Sequence, residues 1–259
     1  MQIKSKQVDN LQVKEYETRK EMGIDAARMA SLKIQELQKA QGYVRVIFAS
    51  APSQNEFLEG LIKDPKIDWS RLEIFHMDEY IGLPTEHPQS FATFLREKLF
   101  DKAEVSNFHY IKGDAEDIEQ ECRRYADLLK EKPIDIVFMG IGENTHIAFN
   151  EPHIADFDDP LLVKIVDLDE KSRQQQVNDG CFLTFGEVPS HAVTLTIPAL
   201  ISARYLYCMV PGATKQEAVY KTLKEPINSK FPSTILRQHK NAILYLDKES
   251  AKTVKKCDI

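Results

Sequence analysis

His146, Asn150 and Glu151 stand within a few residues of one another, directly after the apolar run Ile136–Met139 and the glycines Gly140 and Gly142. A histidine exchanges protons near neutral pH, and a neighbouring carboxylate can support it. Glycines at a strand end permit a tight turn and close approach of backbone to a ligand. A second acidic position, Asp78-Glu79-Tyr80, closes another apolar segment. Successive strand side chains point to opposite sides, so one of these two carboxylates at most faces a shared crevice. Ser53 and Lys215 both fall at turns from an apolar segment into a helical one. Unpaired N–H groups at a helix start, with a cation or hydroxyl beside them, form an anion site. Arg173, in Ser172-Arg173-Gln174-Gln175-Gln176, is a second candidate cation. Together these types suit proton transfer on a small anionic molecule.

The elements that must hold these residues alternate. Apolar stretches over 11–16, 43–49, 72–77, 108–111, 134–139, 161–166, 192–197, 204–210 and 242–246 read as strands. Helical spacing marks 18–40, with Thr18 and Glu21 as a capping pair, and also 54–63, 90–99, 115–130, 214–223, 233–239 and 248–256. Repeated strand–helix alternation predicts an α/β fold over residues 1–259 as one domain. It predicts an open, mainly parallel, Rossmann-like sheet with helices on both faces. In such sheets ligands sit at the carboxyl ends of the strands, here those finishing at Ala49, Met77 and Met139.

Composition narrows the classes. Hydrophobic residues make up 42% of 259, enough for a core, yet no run reaches the ~18 apolar residues of a membrane helix. The net charge of -6 speaks against a nucleic-acid surface. Cys122, Cys181, Cys208 and Cys257 form no Cys-x-x-Cys pair, which argues against structural zinc and for free thiols in a reducing compartment. No apolar signal core follows Met1–Lys6, so a cytoplasmic protein is expected. A homo-oligomer is possible.

The stretch Gly140-Ile141-Gly142-Glu143-Asn144-Thr145-His146-Ile147-Ala148-Phe149-Asn150-Glu151-Pro152 resembles the Gly-Ile-Gly-x-Asp-Gly-His-Ile-Ala-Phe-Asn-Glu-Pro signature of the glucosamine-6-phosphate deaminase family. Met77-Asp78-Glu79-Tyr80 and His87-Pro88-Gln89-Ser90 resemble a second signature of that family, and a weaker match runs from Pro211 to Ser233. The resemblance implies isomerisation and deamination of a phosphorylated amino sugar, without metal or organic cofactor. It implies His146 as the ring-opening group, Glu151 as its partner and Asp78 as the carrier of a proton from C2 to C1. Gly142, Ser53 and Lys215 would contact substrate, and Arg173 is a further candidate.

Three departures from the pattern stand out. Asn144-Thr145 replaces Asp-Gly, which leaves Glu151 as the only expected carboxylate support of His146. The loop Ala49–Gln54 lacks the family's glycines, and Pro52 has no N–H to offer a phosphate. The arginine expected near Gly180 is not evident. A 6-phosphogluconolactonase-type hydrolase and a non-catalytic sugar-phosphate sensor therefore remain alternatives.

Overall fold

The computed structural model describes residues 2–257. The strands are β1 (Gln2–Val8), β2 (Leu11–Tyr16), β3 (Val44–Phe48), β4 (Leu72–His76), β5 (Asp78–Tyr80), β6 (Phe108–His109), β7 (Ile136–Met139), β8 (Val163–Asp167), β9 (His191–Leu195), β10 (Tyr205–Val210) and β11 (Ala242–Asp247). The helices are α1 (Arg19–Gln41), α2 (Asn55–Ile62), α3 (Phe91–Lys98), α4 (Ile118–Lys130), α5 (Glu170–Asn178), α6 (Ile197–Ile201), α7 (Gln216–Lys224) and α8 (Lys252–Cys257).

Eight strands form the main sheet in the order β1-β2-β11-β10-β7-β3-β4-β6. Only the β1–β2 pair is antiparallel; every other neighbouring pair runs parallel. Order reverses between β3 and β7, because β4 and β6 are added on one side and β10 and β11 on the other. At such a reversal the two flanking loops diverge and leave a crevice. The central strands are buried on both faces, which explains their continuous apolar sequence. Ile47, Val137, Met139, Cys208 and Leu244 pack into one core with residues of α4, α6 and α7. Val46, Phe48, Ile136, Phe138, Met209 and Tyr245 face the other core, under α1 and α2. The two sets alternate along each strand, as the pleat requires.

Local signals fix the helix starts. The Thr18 hydroxyl accepts from Glu21 N at 3.2 Å and caps α1, while Gly42, at φ 82°, ends it. Asp117 caps α4 in the same way through Gln120 N at 2.8 Å.

Several expectations change. Residues of the segments expected as strands at 161–166 and 192–197 do form strands, but outside the parallel sheet. They build a second, antiparallel sheet in the order β5-β9-β8, with Asp78 opposite Thr194. Its inner face packs Tyr80, Phe149, Val166, Phe182 and Ala192 together. Strand β1 was not expected, because Gln2-Ile3-Lys4-Ser5-Lys6-Gln7 is mostly polar and gains its place through backbone pairing with β2. The segment 233–239 is a 3₁₀ turn over Pro232–Gln238 rather than an α-helix. Cys122 and Cys208 are buried free thiols and Cys181 a partly buried one; the side chain of Cys257 lies outside the described residues.

Candidate active site

Four loops at the carboxyl ends of β3, β4, β7 and β10 enclose a cavity of about 240 Å³. Ser50–Ser53, Asp78, Gly140–Gly142, His146 and Pro211–Lys215 line it, with Arg19 and residues of α5 at its wall. Asp78, His146, Ser53, Gly142 and Lys215 thus share one crevice.

Gly142 and His146 define each other. Gly142 N donates to His146 O at 2.9 Å, and Thr145 N donates to Gly142 O at 3.0 Å, closing a tight turn. The imidazole then lies over the glycine. A Cβ at 142 would stand 2.1 Å from His146 Nε2, where no real side chain fits. Thr145 pays for this turn with a φ of 76°, a left-handed conformation that strains a β-branched residue. Its buried hydroxyl has no hydrogen-bond partner among the described residues.

Burial depresses the His146 pKa to about 3, helped by the charge of Lys215 and opposed by Asp169. The ring is therefore neutral at physiological pH. Its Nδ1 lies 3.1 Å from the Ser172 hydroxyl. Glu151 is fully buried, and burial together with Asp169 pushes its carboxyl up to about 8. Asp169 is held below its ordinary range against the effect of burial, by hydrogen bonds from Glu151, Ser172 N and the Asn144 amide. One carboxyl oxygen of each lies within 4.8 Å of the other, and like charges that close move the two groups in opposite directions.

Glu151 is thus not the only carboxylate near the histidine, as the sequence had implied. Asp169 N donates to Glu151 Oε2 at 3.0 Å, and Asn144 Nδ2 donates to Asp169 Oδ2 at 3.0 Å. Asn144 Oδ1 accepts from His146 N at 3.1 Å, so this side chain braces the turn backbone rather than the ring. Glu151, His153 and Asp169 bring one ligand atom each within 4.8 Å, the geometry a metal could use. Glu151 Oε2 and both Asp169 oxygens already accept from Asp169 N, Ser172 N and the Asn144 amide, while the buried Glu151 Oε1 has no partner among the described residues.

Asp78 is buried, and burial plus the neighbouring Glu79 raise its pKa well above the carboxylate range. Glu79 points the other way and accepts from Phe91 N at 3.1 Å and Ala92 N at 3.0 Å, anchoring the start of α3. His76 is a core histidine whose Nε2 accepts from Ile111 N at 2.7 Å.

The cationic end lies between the loops after β3 and β10. Lys215 is buried and its pKa is lowered by desolvation. Among the described residues no carboxylate comes within ion-pair distance of it. Asp247 pins its loop by accepting from Gly212 N at 3.1 Å. Ser53 Oγ accepts from Gln54 Nε2 at 3.0 Å, and the buried Ser50 hydroxyl has no partner among the described residues.

Arg173 does not reach the cavity. Its guanidinium donates to Val188 O at 2.8 Å and Phe185 O at 3.1 Å and stacks 4.1 Å from the Phe185 ring. Its donors go to carbonyls of the turn after α5, outside the cavity lining. Arg19, which sequence reading missed, lines the cavity, where it pairs with Glu56 at 2.6 Å and donates to Pro52 O. One signal was available. An arginine in the first turn of a helix opposes the helix dipole, which calls for a reason outside the helix. Asp169 and Ser172 are the N-cap and N3 of α5, a helix absent from the segments expected from sequence, and their approach to His146 is tertiary.

Residues 17–245 match the family of glucosamine-6-phosphate isomerases/6-phosphogluconolactonase. The chain belongs to this family. A glucosamine-6-phosphate deaminase of Bacillus cereus (strain G9842) is 37% identical over 185 residues, which cover 71% of this chain and 69% of that protein. A monomeric glucosamine-6-phosphate deaminase of known structure aligns with a TM-score of 0.86 at 28% identity, over 93% of this chain and 99% of its own. The 6-phosphogluconolactonase from Thermotoga maritima shares the fold, with a TM-score of 0.74 at 21% identity over 91% of this chain and 99% of that one. Within this glucosamine-6-phosphate isomerase family fold, Thr145 fills the place of the signature's glycine, and its φ of 76° explains why glycine suits that place.

Proposed function

We propose that this chain is a glucosamine-6-phosphate deaminase: it opens the sugar ring, moves a hydrogen from C2 to C1 and releases ammonia. The observation that carries the reading is the shared crevice, which holds a neutral histidine, a buried carboxyl and a buried lysine in one cavity.

Each group fits one physical demand. Lys215 and the hydroxyls of Ser53 and Ser50 hold the phosphate, and Arg19 adds charge at the rim. Fixing the phosphate turns the proton transfers into oriented, effectively intramolecular events. His146, neutral and with Nε2 over Gly142, takes the proton of the anomeric hydroxyl and returns one to the ring oxygen. The open chain then exposes its C2 hydrogen. Asp78 is a stronger base than an exposed carboxylate, because burial disfavours its charge, and it carries the C2 proton to C1. The resulting C2 imine takes up water and leaves ammonia and a ketose phosphate. Asn144 and Glu151 position the histidine, and no step calls on a metal or organic cofactor. The buried thiols of Cys122 and Cys208 suit a reducing cytoplasm. No helix among the described residues is long and apolar enough to cross a membrane.

The test is an assay of ammonia release from glucosamine 6-phosphate, beside hydrolysis of 6-phosphogluconolactone. Ammonia release that His146→Gln abolishes supports the reading. Lactone hydrolysis without ammonia release assigns the crevice to the hydrolytic branch of the family.

A further inference from the structure

We propose that Gln54 is a positioning residue that fixes the hydroxyl of Ser53 as a hydrogen-bond donor to the substrate phosphate, in a loop that lacks the family's glycines. This inference rests on the functional reading above and adds to it how an anion is held where the loop has few backbone N–H groups to offer.

Gln54 is 1% exposed and ends the 3₁₀ turn Pro52–Gln54 that follows β3. Its Nε2 donates to Met139 O at 3.3 Å and to Ser53 Oγ at 3.0 Å. Met139 O is a backbone carbonyl at the end of β7 and can only accept, so it fixes which end of the amide faces it. The Oε1 end has no hydrogen-bond partner among the described residues, so the two acceptors at Nε2 orient the amide. One hydrogen of the nitrogen goes to Met139 O and the other to Ser53. The Ser53 oxygen therefore accepts, and a hydroxyl that accepts in this way keeps its own hydrogen to give. Among the described residues that hydrogen has no acceptor, and Ser53 lines the cavity.

The strand opposite makes room for this pair. A Cβ at Gly140 would lie 3.3 Å from Gln54 Nε2 and 3.3 Å from Ser53 Oγ, closer than ordinary contact. Gly140 thus admits the amide and the hydroxyl side by side, where the neighbouring strands β3 and β7 end. The loop backbone has less to give. Pro52 has no N–H, and Gln54 N is taken by Ala51 O at 2.9 Å. An oriented hydroxyl on Ser53 supplies the donor that a glycine loop would supply from its backbone, and Lys215 lines the same cavity from the loop after β10.

A double-mutant cycle on the full chain tests this, read by calorimetry as the Kd of fructose 6-phosphate and of 6-phosphogluconate. Gln54→Met, which keeps the length and loses the donor, is expected to weaken both by about 10-fold, the lower end for a hydrogen bond to a charged group. Gln54→Asn keeps the amide but falls one methylene short of its two acceptors; it should weaken both similarly, and it serves in place of Gln54→Met if that variant does not fold. In a Ser53→Ala background the further effect of Gln54→Met should fall below about 2-fold, because the two residues act through one interaction. On glucosamine 6-phosphate the loss should appear in KM, with kcat within about 2-fold of the wild type. An effect of Gln54→Met undiminished by Ser53→Ala, or an unchanged Kd in both Gln54 variants, would overturn the proposal, as would a wild type that binds neither sugar phosphate. A wild type that binds both but releases no ammonia would refute the deaminase reading, while the cycle would still decide the role of Gln54.

Discussion

Gly142→Ala should disable the crevice by moving one ring. The added Cβ would lie 2.1 Å from His146 Nε2, 2.2 Å from Cε1 and 2.4 Å from Cδ2, against the 3.4 Å at which ordinary contact begins. The imidazole must retreat by roughly 1 Å or more. It cannot do so freely, since Nδ1 is held 3.1 Å from Ser172 and the His146 backbone is tied to Gly142 itself. Overpacking of this kind costs about 1–3 kcal/mol of stability. A misplacement of ~1 Å at a reacting group costs on the order of 100-fold in rate. We therefore expect a folded protein with a lowered melting temperature and ammonia release from glucosamine 6-phosphate slowed by about 100-fold. Most of that loss should lie in kcat, because the phosphate groups are untouched. Binding of fructose 6-phosphate, measured by calorimetry, should change little. Wild-type kcat in Gly142→Ala, with an undisplaced His146 in a crystal structure of the variant, would refute both the geometry and the role given to the ring.

Three further expectations follow from the same contacts. Lys215→Ala should weaken sugar-phosphate binding by about 1.5–3 kcal/mol, the scale of a lost charged hydrogen bond, with the loss in KM or Kd; an unchanged Kd would move the anion site elsewhere. Thr145→Gly should raise stability by about 1 kcal/mol, because relief of the left-handed strain and of the unpaired hydroxyl outweighs glycine's entropy cost; thermal melts would expose the error if stability fell. His146 has a folded pKa near 3 against an ordinary 6.5, so its contribution is full above 6.5 and is lost as pH falls toward 3. His146→Gln should accordingly lose less stability than the wild type across that window, and parallel pH–melting curves would show that the ring is not buried neutral.

Much of the crevice was legible because it is local in sequence. The continuous apolar runs ending at Ala49, Met77 and Met139 announced strands buried on both faces, and the turns that follow them carry Ser53, Asp78 and His146. Lys215 could be read from the same strand-to-helix logic. What stayed hidden depends on contacts between distant segments. The two short strands β8 and β9 have the composition of parallel strands, and only their pairing with β5 places them in a separate sheet. Arg173 and Arg19 are equally basic in sequence; carbonyls after α5 occupy one, and the other opens on the cavity. The neutral Asn144 looked like a lost charge, whereas the charge had moved to Asp169. Restoring an aspartate at 144 would set two carboxylates about 3 Å apart in place of the present hydrogen bond, so the change that looks like a repair is a repulsion.

The most direct test of the central claim is the fate of hydrogen at C1 when the wild-type protein turns over glucosamine 6-phosphate in deuterated water. Asp78 as the carrier from C2 to C1 predicts fructose 6-phosphate and ammonia in equal amounts, with hydrogen from C2 of the substrate recovered at C1 and any solvent deuterium confined to C1. Asp78→Asn should stop both the ammonia and the hydrogen transfer. Ammonia release undiminished in Asp78→Asn, or a wild type that forms no ketose while hydrolysing 6-phosphogluconolactone, would contradict it.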